Sequence, residues 1–171
     1  LGVFTGIASI HFFKAYTTVN GIFDRIKKQR TKTIVAGTIL GLLIFLMPPL
    51  YGEGYNTINA IIEGRPFDVL ENSLFSDYAS NPIFLILFFL ALGIFKVFAT
   101  TLTFRAGGVG GTFAPTLFMG SVLGYFYATA VNHFGLGDLP ISNFVLVAMA
   151  GLMAGNLHAP LMAIFLIAEI T

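Results

Sequence analysis

The chain contains no cysteine, and only 10% of its 171 residues are charged. The absence of cysteine excludes disulfide bonds, thiolate catalysis and cysteine-ligated metal sites in these residues. Because a soluble domain has about 25% charged residues, the low charge content argues against a soluble protein. The mean hydropathy of +0.86 and the hydrophobic content of 56% point the same way. The composition therefore predicts an integral membrane protein.

Motifs for catalysis, metal binding and nucleic-acid binding are also missing. The three histidines are scattered and form neither an HExxH pattern nor an i, i+4 pair. No carboxylate pair, nucleophile–base set or phosphate-binding loop is recognisable in the sequence. The net charge of +1 provides no polybasic surface for nucleic acid. We therefore expect a protein that is not an enzyme, with no metal site, no cofactor and no nucleic-acid partner.

Long apolar runs dominate the sequence instead. A helix needs about 20 apolar residues to cross the hydrocarbon core of a bilayer, and several runs approach or reach that length. The run from 144 to 170 is interrupted by "AGNLHAP" at 154–160, which indicates two shorter helices rather than one span. The other apolar runs expected to form membrane helices are 33–50, 83–104 and 113–131, and 1–23 is expected to be the lower half of a membrane helix whose start is missing.

The distribution of charge predicts which ends of these helices share a side of the membrane. Residues 24–32, "DRIKKQRTK", form the only dense charge run, and Lys and Arg concentrate in cytoplasmic loops. This run is therefore expected inside. Residues 51–81 hold five of the eight acidic residues and are expected outside, as a partly structured loop with a short helix in "YGEGYNTINAII". Arg105, at the end of the next span, is then expected inside.

The stretch "FRAGGVGGTFAP" places four glycines within residues 107–111, directly before an apolar run. Pro115 is tolerated only in the first turn of a helix, so a helix is expected to begin near Thr112 after irregular backbone. Such backbone at membrane depth is buried in protein or lines a watery cavity. A helix N-terminus has unpaired N–H groups and about half a positive charge, so one that faces a cavity attracts an anion.

The amides of Thr112 and Phe113 are the expected anion contacts, with the Phe113 side chain as a cavity wall. Uncharged amides suit transport because an ion must enter favourably and still leave. The alternative interpretation of the glycines is a flexible turn and a cluster that serves helix packing alone.

The break at 154–160 resembles the break at 107–115. "HAPLMAIF" follows Asn156 as "FAPTLFMG" follows Thr112, so each break places Ala-Pro in the first turn of a new helix. Paired broken helices are typical of transporters built from repeats. Asn156 is a candidate cap for the second helix, and His158 is expected either to pack or to face polar groups.

One charged residue and several small residues stand out within the apolar runs. Lys96 lies inside the span 83–104, where a charge costs about 2.5–3.5 kcal/mol. It is therefore expected to face protein or water, or to reach towards an end of the helix, and a pore role is the alternative. Close helix contacts are expected at Gly120 and Gly124 and at the pairs Ala150-Gly151 and Ala154-Gly155.

Three motifs resemble those of a known family. "GGVGGTFAP" resembles the G-x-F-x-P signature of the CLC family of chloride channels and chloride/proton antiporters. "GLMAGNLHAPLMAIFLIAEIT" at 151–171 is similar to the family's re-entrant helix segment, and "MPPLYGEGY" at 47–55 is similar to its Pro…Gly-x-Gly-Tyr turn. The resemblance covers essentially the whole chain, which would correspond to most of the second half of the family's membrane domain.

The resemblance implies an all-α, polytopic transmembrane fold with broken or re-entrant helices, in which two inverted halves surround the anion pathway. It implies that the amides of Thr112 and Phe113 help bind the anion, in a turn shaped by Gly110, Gly111 and Pro115. It also implies a homodimer whose contact includes the helix at about 158–170. The family's G-S-G-I-P and G-[RK]-E-G-P motifs do not occur here, so this chain is expected to hold only part of the anion site.

We therefore predict that residues 1–171 form a partial CLC-type transmembrane domain, without a soluble domain, in a multi-pass protein of a prokaryotic plasma membrane. The predicted function is chloride transport through the lipid bilayer, as a channel or in exchange for protons. One alternative is an unrelated secondary transporter that binds an anionic organic substrate at the break 107–115, and another is a structural subunit. The chain does not begin with Met and ends after an apolar run, so a longer parent protein is expected.

Overall fold

The computed structural model describes residues 1–71 and 73–170, with the backbone alone at residue 170. Within these residues the chain is all-helical and has no strand, as expected. Short 3₁₀ helices at Pro48–Leu50, Pro66–Leu70 and Ser76–Tyr78 lie in the connections on either side of α3. The α-helices are α1 (Gly2–Asp24), α2 (Gln29–Leu46), α3 (Tyr55–Ile62), α4 (Pro82–Arg105), α5 (Phe113–His133), α6 (Ile141–Leu157) and α7 (Pro160–Ile170).

Three of these helices, α2, α4 and α5, are long and apolar enough to cross a membrane. They correspond to the predicted spans 33–50, 83–104 and 113–131. The first prediction needs a correction, because α2 begins at Gln29 and ends at Leu46. Two consecutive prolines follow and form a 3₁₀ turn, since proline lacks the N–H that would continue the α-helix.

The predicted break in the last apolar run is confirmed. Helix α6 ends at Leu157, His158 adopts a left-handed backbone conformation with φ of 54°, and α7 begins at Pro160. The prediction that Asn156 caps the second helix is wrong, because Asn156 lies in the last turn of α6. The chain needs the left-handed residue and one further residue before Pro160 can occupy the first turn of α7.

Helix α5 lies at the centre of the fold, between α4 and α6. The predicted close contact at two glycines of α5 is confirmed on the α6 side. A Cβ added at Gly120 would lie 2.5 Å from the Cα of Met149, and one at Gly124 would lie 2.8 Å from the Cα of Val145. Only hydrogen fits at these two positions, so the backbones of α5 and α6 approach closely.

Two glycines of α6, Gly151 and Gly155, allow the close contact between α6 and α1. A Cβ at Gly151 would lie 2.8 Å from Oγ1 of Thr5, and one at Gly155 would lie 2.8 Å from Oγ of Ser9. Helix α6 is therefore held against α5 on one face and against α1 on another, which makes it a fixed support for the start of α5.

The C-terminal ends of α1 and α4 are joined by Arg105. Its Nη1 lies 2.7 Å from Oδ1 of Asp24, and its Nε donates to Oδ1 of Asn20 at 2.5 Å. Arg105 therefore lies on the same side of the helices as the basic run 24–32, which agrees with the arrangement that the charge distribution predicted.

Apolar side chains remain exposed on the outer faces of α1, α2 and α7. In α2 only 6% of the span is buried, and from Ile34 onward its exposed side chains are mostly aliphatic or aromatic. A chain of this composition places such faces against lipid or other protein within the membrane. The most exposed of these side chains are Val3, Phe13, Ile34, Phe45, Leu161 and Phe165.

Candidate anion site

A cavity of about 490 Å³ lies at the N-terminus of α5. Three parts of the chain form its polar wall, two of them adjacent in sequence and the third more than forty residues earlier. One is the glycine loop with the first turn of α5, another is the second half of α4, and the third is the turn between the first 3₁₀ helix and α3. The lining residues from these parts include Gly110, Gly111, Phe113, Pro115, Lys96, Thr100, Thr103, Tyr51, Gly52 and Glu53.

The predicted start of α5 is confirmed. The helix begins at Phe113 with Thr112 in the N-cap position, and Pro115 is buried in its first turn. Thr112 makes no side-chain cap hydrogen bond, and among the described residues no acceptor pairs with the amides of Thr112, Phe113 or Ala114. The first turn of α5 therefore has the free N–H groups and the partial positive charge that an anion site requires.

The predicted site residues occupy different positions around this helix start. Phe113 is 37% exposed and lines the cavity together with Gly110, Gly111 and Pro115. Thr112 is half-buried and is not one of the lining residues; its carbonyl oxygen is turned to Thr116, whose Oγ1 lies 2.7 Å away. The geometry thus brings Phe113 and the two glycines directly to the cavity, with Thr112 behind them.

The glycines before α5 have separate structural roles. Gly107 has φ of 101°, a conformation that side chains other than glycine rarely adopt. A Cβ at Gly108 would lie 2.7 Å from Cγ2 and 2.9 Å from the carbonyl oxygen of Thr103. At Gly111 a Cβ would meet only the backbone nitrogen of Phe113, at 3.9 Å. The first two glycines therefore allow the turn to form, whereas Gly111 leaves the Phe113 amide uncovered.

Lys96 is the cation of the cavity wall. Its side chain is only 1% exposed, and Nζ donates to the carbonyl oxygens of Gly52 at 2.8 Å and Leu50 at 3.2 Å. The expectation that it faces protein or water is confirmed. Among the described residues no carboxylate forms an ion pair with it. Its positive charge is therefore shared with two backbone carbonyls and is not neutralised.

The turn that Lys96 holds is fixed from its other side by α5. Gly54 has φ of 84° and occupies the N-cap position of α3, and a Cβ there would overlap the ring of Phe118. Glu53, between Gly52 and Gly54, is exposed and lines the same cavity. Sequence reasoning recognised "MPPLYGEGY" as a motif but did not connect this turn with the glycine loop. The two segments lie more than fifty residues apart, and only the tertiary fold brings them together.

His158 does not contribute to the cavity. It is exposed at the left-handed position between α6 and α7, so it is not a buried packing residue. Among residues 1–71 and 73–170, no group of three His, Cys, Asp or Glu side chains is placed to hold a metal ion.

Comparison with known proteins gives one family for this chain. A family model described as voltage gated chloride channel matches residues 1–171. The putative chloride channel protein ClcB-like of Ralstonia nicotianae is 31% identical over 174 residues, which cover 100% of this chain and 36% of that protein. The H(+)/Cl(−) exchange transporter ClcA of Vibrio vulnificus is 29% identical over 178 residues, which cover 100% of this chain and 34% of that protein.

A third relative, the voltage-gated ClC-type chloride channel ClcB of Escherichia coli, is 31% identical over 140 residues, which cover 80% of this chain and 29% of that protein. The chain thus spans about a third of the length of the curated relatives that it matches along its whole length. No solved structure matches.

Proposed function

Because the chain belongs to the voltage-gated chloride channel family, we propose that its full-length protein transports chloride across a membrane. The named relatives are bacterial channels and exchangers, and the bacterial plasma membrane is the corresponding location. The proposed role is transport without a covalent step, with chloride as cargo and no cofactor.

One observation supports this proposal most directly. The first turn of α5 opens into a cavity, and the amides of Thr112 and Phe113 have no acceptor among the described residues. A chloride ion placed at this helix start would accept hydrogen bonds from those amides and would interact favourably with the helix dipole. Gly110, Gly111 and Pro115 set the turn that presents the amides.

Lys96 adds a second attraction for anions. Its ammonium group lines the cavity without a direct ion-pair partner and contributes positive potential there, which the exposed carboxylate of Glu53 on the same cavity partly offsets. Because Nζ is bonded to the carbonyl oxygens of Leu50 and Gly52, it acts at a fixed position and not as a mobile side chain that would trap the ion. Amide donors and a constrained cation together favour entry while allowing release.

The test is a flux measurement on the full-length protein in chloride-loaded liposomes, with chloride efflux and external pH recorded together. Chloride efflux supports the proposal. Opposing proton movement would assign the exchange mode that the Vibrio relative's name states, and efflux without protons would assign a channel. Efflux no greater than that of protein-free liposomes would contradict the proposal.

We also propose that the protein acts as a homodimer with α7 in the contact. Helix α7 has buried residues on one face, whereas Leu161, Met162, Ile164 and Phe165 are exposed on the others. An apolar surface of this kind suits a second copy within the membrane. A single cysteine introduced at Phe165 should form a disulfide-linked dimer upon oxidation, and the same change at Ile34 of α2 is the control. Equal cross-linking at both positions would contradict the assignment of the contact.

A further inference from the structure

Two side-chain hydrogen bonds connect the end of α6 to the first turn of α5. Oγ1 of Thr116 donates to the carbonyl oxygen of Thr112 at 2.7 Å. Nδ2 of Asn156 donates to Oγ1 of Thr116 at 3.2 Å. A hydroxyl group has one proton and two lone pairs, so Thr116 can make both bonds at once. Thr116 is completely buried, which shields the pair of bonds from competition with water.

The carbonyl that Thr116 holds belongs to the same peptide unit as the amide of Phe113. That unit is planar and trans, so its C=O and N–H groups point in opposite directions. The carbonyl oxygen of Thr112 also accepts from the backbone nitrogen of Thr116, at 3.1 Å. Two donors on one carbonyl fix the peptide plane. The N–H of Phe113 is thereby directed away from the body of α5 and towards the cavity at the start of the helix.

Thr116 differs in this respect from the threonines of α4. Thr100, Thr101 and Thr103 each donate to the carbonyl of the residue four positions earlier, a common bond for threonine in a helix. Within the described part of the chain, none of these three hydroxyls receives a hydrogen bond from another helix, whereas that of Thr116 does. Thr116 therefore makes, in addition to the local bond that is common for a helical threonine, a hydrogen bond to a residue of another helix.

Helix α6 can hold the Thr116 side chain in place through Asn156 because α6 packs tightly on α5. Gly120 and Gly124 leave no room for a Cβ against the α6 backbone, so the helix that carries Asn156 is held close to α5. A chain of amide, hydroxyl and carbonyl also polarises each member, which strengthens the Phe113 N–H as a donor.

We propose that Thr116 and Asn156 are positioning residues that aim the Phe113 amide at the transported anion. This inference rests on the proposed chloride transport and assigns to that site two residues outside the glycine motif. Neither residue contacts the ion. Both act through the peptide between Thr112 and Phe113, so their loss changes anion affinity more than the maximal rate.

The experiment uses the full-length protein in liposomes and measures chloride efflux as a function of chloride concentration. Thr116→Val keeps the branched shape and removes the hydroxyl. We expect it to raise the half-maximal chloride concentration by about three- to tenfold, the range expected for one lost neutral hydrogen bond. Thr116→Ser retains the hydroxyl and should lie close to the unmodified protein. Thr101→Val removes a buried hydroxyl of α4 without a partner in another helix, and it should leave the half-maximal concentration unchanged.

The outcomes separate the inference from the function on which it rests. An assembled Thr116→Val protein with an unchanged half-maximal concentration, or a shift no larger than that of Thr101→Val, overturns the positioning role. If Thr116→Val does not assemble, Asn156→Ala replaces it as the test, because it leaves the bond from Thr116 to Thr112 in place. A higher half-maximal chloride concentration in Asn156→Ala supports the positioning role, and an unchanged one overturns it. Absence of efflux from the unmodified protein would instead overturn the proposed transport.

Discussion

The Nζ atom of Lys96 lies 4.2 Å from the centroid of the buried Phe118 ring. The same atom donates to the carbonyl oxygen of Gly52 at 2.8 Å. Because Phe118 belongs to α5 and Gly52 to the turn before α3, one ammonium group joins α4 to α5 and to that turn. The ring face and the carbonyl oxygens both attract a cation, so the charge is accommodated without a carboxylate.

Removal of this charge should weaken transport. Lys96→Met keeps the length of the side chain and eliminates the positive potential. At an effective dielectric constant of about 20, two unit charges about 10 Å apart interact by about 1.7 kcal/mol. We therefore expect chloride efflux at low chloride concentration to fall by about tenfold or more. Lys96→Arg retains the charge and serves as the control. Efflux from an assembled Lys96→Met protein equal to that of the unmodified protein would show that this cation is structural only.

The glycine loop offers a matched pair of substitutions that separates folding from anion binding. Gly108→Ala would place a Cβ 2.9 Å from the carbonyl oxygen of Thr103, so we expect a loss of about 1–3 kcal/mol in stability. Gly111→Ala would place a Cβ near only the Phe113 nitrogen, at 3.9 Å. We expect it to preserve thermal stability and to reduce chloride efflux, since the methyl group partly covers the amide.

Thermal unfolding in detergent and efflux from liposomes, measured on both variants, test this separation. A large loss of stability in Gly111→Ala together with normal efflux per assembled protein would favour the alternative that these glycines serve packing alone.

Much of the helical framework was predictable from local sequence. Apolar runs of sufficient length, together with Pro115 and the break before Pro160, defined α4, α5, α6 and α7 within a few residues, because proline and apolar length act locally. Pro48 and Pro49 end the predicted span 33–50, and α2 accordingly ends at Leu46, just before them; its start at Gln29 lies within the charged run, where the apolar pattern gives no signal.

The site was predictable only in part, for a related physical reason. The helix start at Phe113 follows from Pro115 and the preceding glycines. The contact of Lys96 with Gly52 joins residues 44 positions apart, and that of Asn156 with Thr116 joins residues 40 positions apart. Neither pair leaves a local signal, because such contacts depend on how α4, α5 and α6 pack and not on the residues beside them in the sequence.

The packing of α5 on α6 gives a third prediction, about stability alone. A Cβ at Gly120 would lie 2.5 Å from the Cα of Met149, and backbone cannot move aside as a flexible side chain can. We expect Gly120→Ala to lower stability by about 1–3 kcal/mol. Gly41→Ala in α2 is the matched control, because nothing lies within 4 Å of its Cβ position. Alanine there should raise stability by about 0.5–1 kcal/mol, and equal unfolding temperatures for the two variants would disprove the assigned contact.

The last prediction concerns the Phe113 side chain as a wall of the cavity. Phe113→Ala removes a ring that is 37% exposed and leaves the backbone amide in place, so assembly should persist. Because the opening beside the amide becomes wider, we expect the flux of larger anions to increase relative to that of chloride. The nitrate-to-chloride flux ratio should rise by about twofold or more.

Phe134→Ala is the matched control, since Phe134 follows the far end of α5 and is 69% exposed. The 21 residues of α5 separate the two rings by about 30 Å, so this control should leave the flux ratio unchanged. If Phe113→Ala and Phe134→Ala behave alike, the ring of Phe113 does not border the path of the ion, and the selective contact must lie with the backbone alone.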